Sequence, residues 1–140
     1  MVKHLSGRVE HYVLDLCDEA LGEPGSRQHT FEWLRGDRSP GREQGRKLQL
    51  DSFWPSLRLA VEVHERQHDV SSPFFDRRGT VSGVGRGEQR RIYDERRAAL
   101  LPEHGLRLVV IRPSDLSIGP RGTRKPDREA DLATVTSLLS

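Results

Sequence analysis

Three residues whose side chains bind divalent cations or transfer protons stand close together near the middle of the chain. Asp51 comes near the end of one predicted strand, and Glu62 and His64 belong to the next strand along the chain. Residues 57–63 are otherwise mostly apolar, and a carboxylate buried there is costly unless it is paired or binds a metal. Residues two apart share a face of a strand, so we expect His64 to project beside Glu62.

Only a short turn separates the two strands, so an antiparallel hairpin is predicted. Such a hairpin lets Asp51 and Glu62 approach each other across the strand pair. Two carboxylates beside an imidazole make an oxygen-rich pocket suited to Mg²⁺ or Mn²⁺. A cation held there polarises a scissile phosphate and lowers the pKa of a bound water.

The spacing of apolar residues predicts the elements that must position these side chains. The helices are expected at residues 5–21, with Ser6 as N-cap, at 88–103 and at 127–139, with Asp127 as N-cap. The strands are expected at residues 29–34, where Phe31 and Trp33 share a face, and at 47–53, 57–63 and 106–111. Loops are expected at residues 35–46 and 69–87. The order α–β–β–β–α–β–α predicts an α/β sandwich around a mixed sheet.

Length and composition indicate one domain over residues 1–140, with a core at about 5–112 followed by a linker and a C-terminal helix at 113–140. The single cysteine, Cys17, is expected to be buried and indicates a reducing, cytoplasmic setting. No apolar run approaches the roughly 20 residues that span a membrane, and no signal peptide is evident.

Arginines are concentrated in one part of the chain. Between residues 76 and 97, seven arginines stand against four acidic residues, whereas the whole chain has a net charge of only +2. Arginine forks match phosphate oxygens. The charge pattern alone is weak evidence for nucleic acid, because arginine use also varies for reasons unrelated to function.

The order of the central motif resembles that of the PD-(D/E)xK nuclease superfamily. In that signature, an aspartate is followed by a turn, an apolar strand and a Glu-x-polar triplet, which here are Asp51 and Glu62-Val63-His64. The run Glu-Val-His-Glu-Arg-Gln-His at residues 62–68 is similar to the very-short-patch-repair endonuclease branch and its uncharacterised bacterial relatives. EDxHD homing nucleases share this arrangement, which here would use Glu10, Asp51 and His64.

A second part of the resemblance lies further along the chain. Residues 93–101 fit a Tyr-Asp-x-x-Arg-x-x-x-Leu helix, and a glycine and a closing strand follow at residues 105–110. The resemblance spans roughly residues 6–112. It implies a restriction-endonuclease-like α/β sandwich with an antiparallel meander flanked by helices, and a Mg²⁺- or Mn²⁺-dependent endonuclease that cuts double-stranded DNA.

The resemblance also implies roles for individual residues. Asp51, Glu62 and the Val63 carbonyl would hold the metal. His64 would replace the usual motif lysine and orient or deprotonate the attacking water. His68 would contact the scissile phosphate or protonate the leaving oxygen. Glu10 would be an outer-shell or second-metal carboxylate. The arginines expected to hold DNA are Arg77, Arg78, Arg86, Arg91 and Arg97.

Other interpretations stay open. Asp51 alone can be a strand-end turn residue, Glu10 an exposed helix glutamate, and Asp94 and Arg97 a helix ion pair. One cysteine cannot supply the structural zinc of the repair enzymes, which argues against mismatch repair. The alternative function is a non-catalytic DNA-binding or nuclease-fold subunit of a restriction, transposition or defence assembly. Sequence specificity would come from loops 35–46 and 69–87, from a homodimer or from a protein partner.

Overall fold

The computed structural model describes residues 2–64 and 85–140, and the side chains of residues 2–6 and 86 are not described. The chain divides into two compact units. The first, the sheet unit, takes Met1–His29, Leu50–Arg66 and Arg107–Ser140. The second, the loop-helix unit, takes Thr30–Gln49 and Gln67–Leu106.

The elements follow the predicted order. The helices of the described residues are α1 (Val2–Leu21), α2 (Arg86–Glu103) and α3 (Arg128–Leu139). The strands are β1 (Ser26–His29), β2 (Leu50–Trp54), β3 (Leu59–Val63) and β4 (Arg107–Ile111). They form one sheet in the order β1-β2-β3-β4, in which β1, β2 and β3 pair antiparallel and β4 pairs parallel to β3. The predicted α/β class and the mixed sheet with an antiparallel meander are therefore confirmed.

The hairpin between β2 and β3 is as tight as its sequence indicates. A short 3₁₀ turn at Pro55–Leu57 joins the strands, and Arg58 closes it in the left-handed region with φ 52°. The register pairs Ser52 with Val61 and Trp54 with Leu59. This pairing determines which residues of the two strands share a face of the sheet.

The predicted strand at residues 29–34 is wrong, because β1 is Ser26–His29. Phe31 and Trp33 alternate like strand residues, but their rings stack on each other in a turn, with centroids 4.6 Å apart. Trp33 also stacks on His104, at 3.6 Å between centroids. Stacking therefore covers part of the Phe31 and Trp33 rings, which their alternation in the sequence had suggested would pack on a sheet. The predicted cap at Ser6 is also wrong, since α1 begins at Val2 and Ser6 lies inside it.

The core of the sheet unit lies between the sheet and the helices α1 and α3. Its buried residues include Val13 and Leu16 of α1, Val61 of β3, Ile111 of β4 and Val135 of α3. Cys17 is also buried there, as predicted. Burial raises the pKa of the Cys17 thiol to about 12, so the side chain behaves as an apolar core residue. None of the described helices is long and apolar enough to cross a bilayer.

A buried carboxylate ties α3 to α1 and to the preceding loop. Asp131 is 2% exposed and accepts hydrogen bonds from the Tyr12 hydroxyl at 2.5 Å and from the Ser117 N–H at 2.7 Å. The Ser117 hydroxyl donates to it at 2.6 Å and accepts from the Asp127 N–H at 2.8 Å. Asp127 caps α3 by accepting from the Ala130 N–H, as predicted.

We expect Asp131→Ala to lower the free energy of unfolding by about 3 kcal/mol, because it leaves three half-buried donor groups without their acceptor. Burial raises the pKa of Asp131, but the hydrogen bonds from Ser117 and Tyr12 outweigh it and hold the pKa below its ordinary value of 3.8. The stabilisation is therefore present above that value and is lost as the pH falls through the lowered pKa. Urea denaturation at several pH values measures this. A matched change on the exposed side of α3, Glu129→Gln, should have little effect, and an equal loss in both variants would contradict the assignment.

Two glycines close the loop at residues 35–47 of the loop-helix unit. Arg35 and Lys47 form an isolated antiparallel bridge, and the Gly36 N–H donates to the Arg46 carbonyl at 2.9 Å. A Cβ added at Gly45 would overlap the carbonyl oxygen of Gly36. The two ends of the loop therefore approach more closely than a side chain at residue 45 permits.

We expect Gly45→Ala to lower the free energy of unfolding by about 1–3 kcal/mol, because backbone atoms must shift to admit the methyl group. Gly7→Ala is the matched control: a Cβ at Gly7, inside α1, meets no atom of the described residues within 4 Å. That change should instead stabilise the protein by about 1 kcal/mol through helix propensity. Chemical denaturation of both variants checks the pair, and a stabilising effect of Gly45→Ala would refute the close approach.

Candidate metal centre

The register of β2 and β3 brings two carboxylates to one end of the hairpin. One step beyond the paired residues Ser52 and Val61, the same register sets Asp51 opposite Glu62. The Asp51 N–H donates to Glu62 Oε2 at 2.8 Å, and the Val63 N–H donates to Asp51 Oδ2 at 2.7 Å. Each carboxylate therefore binds the backbone of the opposite strand. These reciprocal bonds hold both side chains in place at the point where the β2–β3 ladder ends.

The histidine lies beside the buried glutamate. Glu62 is 6% exposed, in a strand whose five residues are all buried. His64 follows the strand, and its N–H donates to the Ile111 carbonyl at 3.0 Å, which continues the parallel pairing with β4. His64 Nε2 lies 3.7 Å from Glu62 Oε1. That distance suits an ion pair when the ring is protonated, and the predicted proximity of the two side chains is confirmed.

Helix α1 brings a further carboxylate, that of Glu10, within electrostatic range of Glu62. Burial, and after it the negative charge of Glu62, raises the pKa of Glu10 above its ordinary value. Glu10 Oε2 also accepts a hydrogen bond from Gln28 Nε2 at 3.0 Å. Glu10 is therefore more than the exposed helix glutamate that the sequence also allowed.

Sequence reasoning missed Gln28, which the structure brings to this end of the sheet. Gln28 lies in β1 between residues that pair with Ser52 and Leu50, so it stands level with Asp51. Its φ of 51° lies in the left-handed region, which is uncommon for a residue other than glycine. Such strain is often found at functional sites. The strand sequence Ser-Arg-Gln-His has no apolar alternation that could have identified β1 or this residue.

The donor set fits a hard divalent cation. Asp51 and Glu62 supply carboxylate oxygens, the ligand type that Mg²⁺ and Mn²⁺ prefer. Glu62 is nearly inaccessible to water, and its charge already raises the pKa of Glu10. A cation at this point would offset that repulsion. Asp51 and Glu62 are therefore the carboxylates that could hold a metal, and His64 Nε2 lies 3.7 Å from Glu62 Oε1.

The remaining predicted side chains belong to the loop-helix unit or are not described. His68, Arg77 and Arg78 fall outside the described residues, and Arg86 begins α2 with an undescribed side chain. In the loop-helix unit, Arg91 pairs with Glu88 one turn before it.

Arg97 forms the helix ion pair that was the alternative interpretation. Its Nη1 lies 3.0 Å from Asp94 Oδ1, and its Nε donates to the Gln49 carbonyl at 3.1 Å. The Arg97 side chain is only 16% exposed. These contacts give Arg97 a structural role within the loop-helix unit.

Comparisons with models of known protein families, with curated proteins and with solved structures gave no match.

We expect Glu10→Gln to raise the melting temperature at pH 7 in EDTA, because ionised Glu10 is disfavoured by burial and by Glu62. A raised carboxyl pKa means that stability is lost as the pH rises from the ordinary value of 4.5 through the folded-state pKa. The gain in melting temperature should therefore vanish at pH values below 4.5, where the Glu10 carboxyl is protonated in both the folded and the unfolded protein. The glutamine can still accept the hydrogen bond from Gln28. Thermal melts across pH check this, and a variant less stable than wild type at pH 7 would contradict the electrostatic account.

Proposed function

We propose that this chain is a metal-dependent DNA endonuclease of the PD-(D/E)xK type, with histidine in place of the motif lysine. The observation that carries the proposal is the reciprocal bonding of Asp51 and Glu62 across β2 and β3, with His64 at the end of β3. The motif residues come from separate strands, and the Asp51 and Glu62 carboxylates each accept a backbone N–H from the opposite strand at the same end of the hairpin. The carboxylate of Glu10 lies within electrostatic range of Glu62.

In this proposal, Asp51 and Glu62 hold Mg²⁺ or Mn²⁺, with the Val63 carbonyl as a further oxygen donor. A bound divalent cation supplies charge stabilisation at a scissile phosphate and acidifies a coordinated water. The hydrogen bonds from the Asp51 and Val63 N–H groups orient the two carboxylates before any ligand arrives. Such preorganisation reduces the reorganisation that binding and catalysis require.

His64 accepts the proton from the attacking water in this scheme. Imidazole exchanges protons near neutral pH, where a lysine would need a strongly lowered pKa. Glu62 Oε1, 3.7 Å from Nε2, stabilises the imidazolium that results. Gln28 orients Glu10 through its 3.0 Å hydrogen bond, and Glu10 serves as an outer carboxylate. His68, outside the described residues, keeps its predicted role of contacting the scissile phosphate or protonating the leaving oxygen, and Arg77 and Arg78 keep theirs as DNA contacts.

We expect the wild-type protein to nick supercoiled plasmid DNA in Mg²⁺ or Mn²⁺ and to be inactive in EDTA. Asp51→Asn and Glu62→Gln should each reduce cleavage by at least about 10- to 100-fold, the loss typical even of outer-shell partners of a metal. Both replacements keep an oxygen that accepts the same backbone hydrogen bond, so the fold should survive. Gel analysis of nicking rates, with melting curves in EDTA, separates lost chemistry from lost structure.

The matched control is Glu103→Gln, at an exposed carboxylate at the end of α2, which should cleave like wild type. At the histidine, His64→Lys should retain more activity than His64→Ala, because lysine restores the family's own motif. Cleavage by Asp51→Asn at the wild-type rate would end the proposal. DNA binding that depends on salt but not on metal, without cleavage, would favour the non-catalytic subunit instead.

A further inference from the structure

The loop-helix unit contains an arginine-lined cleft that the predicted DNA contacts do not include. The cleft has a volume of about 970 Å³ and lies between residues 35–48 and α2. Its lining includes Ser39, Arg42 and Arg46 from the loop and Gln89 and Tyr93 from α2. A hollow of about 350 Å³ adjoins it, shares Gln89 and Tyr93, and adds Arg90 and Arg97.

The loop side of the cleft carries excess positive charge once internal ion pairs are removed. Residues 35–47 hold five basic and two acidic side chains. Arg35 and Lys47 both pair with Glu32, at 2.6 and 3.3 Å, and Asp37 pairs with Arg96 at 3.0 Å. Once these ion pairs are set aside, three arginines and one glutamate of residues 35–47 remain, namely Arg38, Arg42, Arg46 and Glu43.

The cations of the cleft face solvent. Arg42, Arg46 and Arg90 are all exposed, and none makes an ion pair with another described residue. By contrast, the neighbouring Arg91, Arg96 and Arg97 each pair with a carboxylate. The unit therefore contains two kinds of arginine, those that hold the structure together and those that present charge to a ligand.

The loop is held in a fixed conformation on α2. The Asp37 N–H donates to the Tyr93 hydroxyl at 2.9 Å, and Gly36 lies against the Tyr93 ring, where a Cβ would come within 2.8 Å. Arg96 donates to the Arg35 carbonyl and to Asp37 Oδ1, both at 3.0 Å, and lies over the Tyr93 ring at 5.2 Å from its centroid. A loop that is ordered before binding loses less conformational entropy when a ligand arrives.

We propose that this cleft binds the sugar-phosphate backbone of double-stranded DNA through Arg42, Arg46 and Arg90. The guanidinium fork matches phosphate oxygens, and the polar Ser39, Gln44 and Gln89 are residue types that contact phosphate and sugar. An open cleft with excess positive charge suits a continuous polyanion. Tyr93 and Arg96 act as positioning residues for the loop. The inference rests on the proposed function, since it supplies the substrate contact for that nuclease.

The test measures binding of the full chain to a short fluorescent DNA duplex in EDTA, by anisotropy, between about 50 and 200 mM salt. Arg42→Gln, Arg46→Gln and Arg90→Gln should each weaken binding and reduce the slope of log affinity against log salt by about one. The triple variant should reduce it by about three. Two duplexes of unrelated sequence should lose affinity equally, because phosphate contacts do not read bases.

The matched control is Arg121→Gln, an exposed arginine of the sheet unit, which should bind like wild type. Salt slopes unchanged from this control in all three variants would overturn the proposal. Equal competition by polyglutamate would overturn the assignment to DNA in favour of an acidic protein. Because binding is measured without metal, weaker DNA binding by the arginine variants would support the cleft even if the wild-type protein nicked no plasmid. Conversely, the wild-type protein could nick plasmid while the three arginine variants bind DNA as well as wild type does. That outcome would refute the cleft as the DNA-binding surface and leave the proposed nuclease function standing.

Discussion

The pairing of β2 with β3 is the constraint on which the candidate site depends. Asp51 and Glu62 each accept a backbone N–H from the opposite strand, so the same bonds set the register and orient the carboxylates. A slip of one residue would reverse the faces of β3. It would turn Glu62 toward the apolar core that Val61 now helps to form with α1 and α3. The free energy of core burial therefore opposes any arrangement that separates the two carboxylates.

The rest of the sheet unit keeps the ends of this hairpin in place. Parallel pairing with β4 extends to the His64 N–H, so the histidine is held at the end of β3 by Ile111. The buried stripe of α1 fixes the helix on the sheet and thereby brings Glu10 near Glu62. Asp131 of α3 lies 119 residues from Tyr12 along the chain, and the hydrogen bond between them anchors α3 to α1. A change in the core should therefore alter the candidate site as well as stability.

Sequence reasoning was strongest where periodicity and burial agreed. Glu62 was identifiable because it is a charge in an apolar strand, and Asp127 because it precedes a helix without a competing cap. It failed at β1, whose polar sequence carries no strand pattern, and so Gln28 was missed. The alternation of Phe31 and Trp33 predicted a strand wrongly, because two aromatic rings that stack on each other give the same sequence pattern as two residues on one face of a strand. The Asp131 network was not predictable, since its partner Tyr12 lies 119 residues away along the chain.

The arginines illustrate why composition alone cannot locate a binding surface. The sequence pointed to residues 76–97 as the basic region, yet in its described part Arg91, Arg96 and Arg97 are each paired with a carboxylate, and Arg90 alone of the arginine side chains described there has no ion pair with a described residue. A paired guanidinium contributes less to binding a polyanion, because the ligand must compete with an existing partner. The loop at residues 35–46, expected to contribute specificity, carries exposed cations, and its acidic neighbours Glu32 and Asp37 form ion pairs with other residues. Charge available to a ligand is therefore set by which ion pairs the fold completes internally, and only the structure reveals that.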